Sequence, residues 1–145
     1  MQDDPACHAF RGKSERNAPM FEAGGCSYVY LIYGMYNCFN IVTGDHGRGE
    51  AVLIRALQPV SGLDKMFERR RVKKECDLLS GPGKICQAWE IGRDLNYVSL
   101  TGDRIYVKPA KEKADVFATT RIGISKAEDL KYRFYIPNCE FISKK

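Results

Sequence analysis

The chain has 145 residues, 44% of them hydrophobic, which suits one folded domain with a real core and leaves little room for two. It holds no run of 18 apolar residues and opens on the acidic, polar "MQDDPACHAF", which excludes a membrane-spanning helix and an ordinary signal peptide and predicts a cytoplasmic protein. A net charge of +5 tilts the choice of partner towards a polyanion.

Residues 1–25 read as loop with a short helix, closed by a Gly-Gly step. Residues 27–33, "SYVYLIY", alternate and are rich in β-branched and aromatic types, which predicts a strand. "YGMY" (33–36) is a turn, residues 37–43 the returning strand of a hairpin, and "GDHGRG" (44–49) a second turn. The nearly continuous apolar run "EAVLIRAL" (50–57) predicts a third strand, well buried in an antiparallel meander. Beyond Pro59, residues 61–79 have helical spacing, with Ser61 or Asp64 at the start, and "SGPGK" leads into a short helix within 80–92. Short strands are expected at 104–108, 121–125 and 132–136. The class is α+β, a single domain over 1–145 with sheet dominating the first half.

Four tyrosines in ten residues ask for a reason, because each buried hydroxyl needs a partner. Tyr28 and Tyr30 share one side of the first strand while Val29 and Leu31 share the other, so an aliphatic face can pack inward and leave an aromatic face lining a groove. Tyr33 and Tyr36 fall at the hairpin tip. Pattern alone leaves two readings: ordinary half-buried sheet tyrosines, or a stacking platform for bases with a protruding aromatic wedge. "FERRRVKK" (67–74) reads as a solvated helix face. "SGPGK" (80–84) departs from a Walker A loop but suits a phosphate held by backbone N–H groups and Lys84. Arg55 and Asn40 are polar groups within apolar strands, either structurally paired or set at a pocket floor. His8 by itself reads as a surface or satisfied histidine. Six cysteines without a C-x-x-C pair, and two histidines, predict buried reduced thiols, with no metal and no cofactor.

Together "DPACHAFRGKSERNAPMF", "YVYLIYGMYNCFNIVT", "AVLIRALQP", "SGPGKICQA" and "RIGI…YRFYI" closely resemble the alkyladenine (3-methyladenine) DNA glycosylases, over about residues 4–136. The resemblance implies a curved antiparallel sheet with flanking helices and a β-hairpin that enters DNA. It implies a monomeric enzyme that flips alkylated purines out of double-stranded DNA and hydrolyses the N-glycosylic bond. In that reading Tyr33 is the wedge, and Met35 and Tyr36 hold the gap open. Tyr30 and His8 form a wall of the base pocket, with the His8 backbone also at the base edge. Asn40 crowds the 2-amino group of normal guanine. Arg55 lies beside the nucleophilic water, the Ile122 carbonyl helps hold that water, and Lys84 and Arg121 lie near DNA phosphates. Tyr28 is left as structural.

Members of that family carry a general-base glutamate and a second stacking tyrosine in a Glu-x-Tyr element shortly before the acidic loop. The present sequence begins within that loop and contains neither. Asp3 and Asp4 are the nearest acids, and the resemblance assigns neither a catalytic role. The expectation is a fragment of an ordinary glycosylase, favoured by the persistence of Arg55 and Ile122, with a lesion-binding product that does not turn over as the alternative.

Overall fold

A computed structural model of the protein describes residues 3–142. The alternating segment forms β1 (Ser27–Ile32), which turns into β2 (Tyr36–Val42), and β3 (Ala51–Leu53) pairs on the far side of β2. All pairings are antiparallel, with Tyr28 opposite Asn40, Tyr30 opposite Cys38 and Asn40 opposite Leu53. The free edge of β1 is closed by residues 95–100. Ser27 N–H donates to the Val98 carbonyl at 2.9 Å, and Val29 N–H to Asn96 Oδ1 at 2.6 Å. An edge strand is thereby spared open hydrogen-bonding groups.

The sheet buries both of its faces. On one, Val29 and Phe39 meet Leu78, Leu79, Ile85, Cys86 and Ala88, the last three belonging to α2 (Pro82–Trp89). On the other, Tyr28 and Val42 pack against Ala9, Met20 and Phe21 of the N-terminal segment, whose short 3-10 turn spans Ala18–Phe21. A continuous loop can lie this close only because Gly49 lacks a side chain. A Cβ there would stand 2.3 Å from that of Ala9 and 2.8 Å from Cζ of Phe21.

Several expected elements come out shorter. The third strand stops at Leu53, and Val52 is exposed, so it is a short edge strand and not a buried one. Arg55 lies beyond its end and is exposed, so no guanidinium is buried in a strand. The helix expected over 61–79 is α1 (Leu63–Arg70), ended by Arg71 in the left-handed region at φ 50°. Continuing it would stack Arg69 on Lys73 and Arg70 on Lys74, like charges one turn apart. Arg69 and Arg70 instead reach across to α2. Arg69 donates to the Ala88 carbonyl at 2.9 Å and pairs with Glu90, and Arg70 bonds Gln87 and the Leu78 carbonyl. The basic run is therefore partly a clasp between helices.

Neither 104–108 nor 121–125 forms a strand; residues 101 and 106 make an isolated bridge, and 121–125 is irregular. The segment 132–136 does yield β5 (Arg133–Tyr135), which pairs with β4 (Phe117–Thr119), a strand without a clear period-2 signal of its own. No helix among the described residues is long and apolar enough to cross a membrane.

Candidate nucleic-acid interface

The hairpin projects from the sheet on a tight turn. Met35 N–H returns to the Ile32 carbonyl at 3.2 Å, and the two residues between have positive φ, 54° at Tyr33 and 69° at Gly34. That is the sign pattern of a type I′ turn, whose twist matches paired strands. Gly34 adopts it freely. A bulky residue at the first position does not, and holding Tyr33 there costs on the order of 1–3 kcal/mol. The strained residue is also the most exposed aromatic of the hairpin, with Tyr33 at 82%, Met35 at 67% and Tyr36 at 49%. Tyr36 is backed by α2. A Cβ on Gly83 would lie 3.3 Å from that of Tyr36, so the first turn of the helix sits directly against the hairpin. Lys84 occupies that turn, its Nζ 3.0 Å from Ser80 Oγ.

A cluster of rings stands on the sheet face below the tip. His8 lies edge-on to Tyr30, with centroids 4.5 Å apart and planes at 72°, and Tyr28 and Tyr30 are 5.4 Å apart. His8 Nδ1 is 2.9 Å from the Tyr28 hydroxyl. Tyr30 is half-buried and Tyr28 fully so, in keeping with a structural role for Tyr28: one ring of the pair is core, the other half-open. Cys38 and Asn40 complete this face. Asn40 is buried, and its Nδ2 donates to the carbonyls of Tyr28 at 3.0 Å and Cys38 at 3.2 Å, which holds the amide plane still. Arg55, beyond the end of β3, stands near this face. Its charge reaches Tyr30 and Cys38 and partly opposes the upward push that burial gives both their pKa values.

Two residues of this neighbourhood carry no signal strong enough to find in sequence. Arg16 sits with Cζ 5.8 Å from the Tyr30 centroid and donates to the Leu31 carbonyl at 3.2 Å. Burial, and secondarily the Arg16 charge, hold the His8 pKa below its usual value. Asn17 is buried and donates to the carbonyls of His8 at 2.8 Å and Gly12 at 3.0 Å, fixing the loop that presents His8. Its place before a 3-10 turn marks it as a cap by type, although its side chain makes no cap hydrogen bond.

Arg121 is not with the hairpin. Its guanidinium grips Asp4 with two nitrogens, Nη2 to Oδ1 at 2.8 Å, and also bonds the Ala127 carbonyl at 3.2 Å. Asp4 accepts the Ala6 N–H as well, and the Arg121 hydrogen bond, against the opposing effect of burial, lowers its pKa. The pairing engages both oxygens of Asp4 and two nitrogens of Arg121. The pair anchors the segment leading to Ile122, half-buried at a bend, onto the segment that carries His8.

A family model described as Methylpurine-DNA glycosylase (MPG) matches residues 1–140. A protein of Carboxydothermus hydrogenoformans is 53% identical over 148 residues, covering 99% of this chain and 77% of the relative. One from Methanoculleus marisnigri is 45% identical, covering 100% and 78%, and one from Clostridium botulinum 44%, covering 98% and 77%. All three are named "Putative 3-methyladenine DNA glycosylase".

Proposed function

The chain belongs to the methylpurine-DNA glycosylase family, and from that premise we propose that it recognises alkylated purines of the 3-methyladenine type in double-stranded DNA. It turns the damaged nucleotide out of the helix and serves hydrolysis of the N-glycosylic bond, the opening step of base excision repair. Residues 1–145 act as one glycosylase domain, monomeric on its DNA.

The observation that carries this reading is the hairpin tip, where Tyr33 stands 82% exposed on a strained two-residue turn. A free chain gains nothing by showing water a large ring at a conformational cost. A duplex with one nucleotide removed from its stack supplies the missing partner. Unstacking costs a few kcal/mol, and base–aromatic stacking returns about 1–3 kcal/mol per base. Met35 and Tyr36 flank the wedge, and α2 behind Tyr36 keeps it from folding back. Lys84 at the start of α2 meets a nearby phosphate, where helix N–H groups and one ammonium favour an anion.

His8 and Tyr30 form the wall against which the flipped purine stacks, an electron-rich surface suited to a base made cationic by alkylation. Asn40, immobilised by its two carbonyl partners, crowds the place of a guanine 2-amino group. Arg55, reaching this face from the end of β3, supports the water or the developing charge at the sugar, and the Ile122 carbonyl helps orient that water. Arg121, held by Asp4, lies near a second DNA phosphate.

The test is to incubate the protein with methylated duplex DNA and measure free bases and abasic sites, with a chelator present. Release of 3-methyladenine is expected, and because residues 1–145 hold no Glu-x-Tyr element it would assign the general base to another carboxylate of this chain. Lesion-specific binding without release would reduce the function to recognition. Tyr33→Ala is expected to weaken lesion binding at least tenfold, and an unchanged affinity would remove the hairpin from the interface.

A further inference from the structure

Tyr28 poses a question that the wedge and the pocket wall leave open. Its ring is 1% exposed in a cluster with Ala9, Met20, Phe21 and Val42, a site that a phenylalanine would fill without a hydroxyl to satisfy. The hydroxyl is not idle, because it meets His8 Nδ1 at 2.9 Å. We propose that Tyr28 is a positioning residue that fixes His8 in the tautomer with its proton on Nε2, so that the exposed edge of the ring offers a hydrogen-bond donor to an acceptor atom of the nucleotide in the pocket. Who occupies the pocket rests on the function proposed above; the tautomer does not.

Both partners are neutral at physiological pH. Burial pushes the phenol up to about 12, and burial with the nearby Arg16 charge pushes the imidazole below its usual value. Two arrangements of the shared proton then remain. If Nδ1–H donated to the phenol oxygen, the phenol would have to turn its own proton into the apolar cluster, where the sulfurs of Cys7 and Cys26 are weak acceptors. That forfeits a buried hydrogen bond. If the phenol donates to a bare Nδ1, every polar atom of the pair is used and the histidine proton falls on Nε2. The ring has little freedom to escape the choice. Asn17 holds the His8 carbonyl at 2.8 Å, and Tyr30 packs on the ring at 4.5 Å between centroids. The residue is otherwise exposed, so the edge away from Tyr28 is the one a ligand meets.

A histidine locked in this way selects for acceptors: a ring nitrogen or carbonyl of the base, or a phosphate oxygen of the flipped nucleotide. The alternative tautomer would present a lone pair and select for amino groups.

The experiment uses imidazole ¹⁵N–¹H correlation spectra of the whole chain. It has two histidines, and the side chain of His46, 76% exposed with Nε2 4.0 Å from a Glu22 carboxylate oxygen, serves as the solvent-facing reference. For His8 the spectrum is expected to show an unprotonated Nδ1 and a protonated Nε2, while His46 shows exchange averaging. Tyr28→Phe is expected to bring the His8 nitrogens towards the averaged values of His46 and to leave His46 unchanged. Lesion affinity should fall about three- to tenfold, the equivalent of one hydrogen bond. A wild-type His8 protonated on Nδ1 overturns the proposal even if the variant fails to fold, as does a Tyr28→Phe spectrum identical to wild type.

Two duplexes identify the acceptor. One carries 3-deaza-3-methyladenine and the other an abasic site. Loss confined to the first assigns the acceptor to the base, equal loss in both assigns it to the backbone, and no loss in either overturns the recognition role. If wild-type protein prefers neither duplex to undamaged DNA, it is the DNA function that fails, and the spectra still decide the tautomer.

Discussion

Replacing Asp4 by asparagine strips the charge from a carboxylate that is 5% exposed and leaves its partner where it is. Arg121 then keeps the Ala127 carbonyl at 3.2 Å, while its Nε is already buried without a hydrogen-bond partner. Breaking a buried pair from one side costs about 3–5 kcal/mol. Asparagine retains one acceptor oxygen, and the Arg121 side chain is 18% exposed, so the lower end, about 3 kcal/mol, is expected. In a chain of this size that corresponds to a fall in Tm of roughly 6–12 °C at pH 7.

The dependence on pH fixes the cause. Arg121 holds the folded-state pKa of Asp4 below its ordinary value of 3.8. The pair therefore contributes fully above about pH 4, and its contribution is lost as pH falls through the lower, folded value. Thermal melts of wild type and Asp4→Asn at pH 7, 5 and 3 should show the same gap at the first two and a narrower one at the third. Asp4→Leu with Arg121→Met should recover much of the loss, because apolar replacement of both partners removes the uncompensated charge. A gap below about 1 °C at pH 7, or one as wide at pH 3, refutes the reasoning.

The hairpin and the loop against it yield predictions of opposite sign. Tyr33→Gly should raise stability by about 1 kcal/mol in urea titration, since it relieves a left-handed φ and forfeits little packing, while weakening lesion binding. A stability loss would show that the ring is packed in the free protein. Gly49→Ala drives a methyl group into Ala9 and Phe21 and should cost about 2 kcal/mol in the same titration. It should also loosen the loop that presents His8, and an unchanged midpoint would mean that the loop yields without cost.

How much of this was legible in the chain depends on the range of the interaction involved. The β1–β2 hairpin, its turn at Tyr33–Gly34 and the short helix after Gly81 follow from local pattern: alternation, a Gly at the turn, a Pro at the helix start. The family resemblance, carried by motifs in order, placed His8, Tyr30 and Asn40 together before any contact was known, and the sheet brings them to one face. Whatever depends on contacts between distant parts of the chain was not legible. Arg121 finds Asp4 across 117 residues, Asn17 finds the His8 carbonyl through the path of a loop, and Arg69 and Arg70 leave a helical run to hold α2.

The same division runs through the four tyrosines. Sequence by itself determined that Tyr28 and Tyr30 share a face and that Tyr33 and Tyr36 stand at a tip, because strand alternation and turn chemistry are properties of neighbouring residues. Only the tertiary structure decided that Tyr28 is sealed beneath the N-terminal segment and bonded to His8 while Tyr30 stays half-open. Burial is imposed by whatever packs on top, and here that is a segment about twenty residues away, admitted by a glycine at position 49.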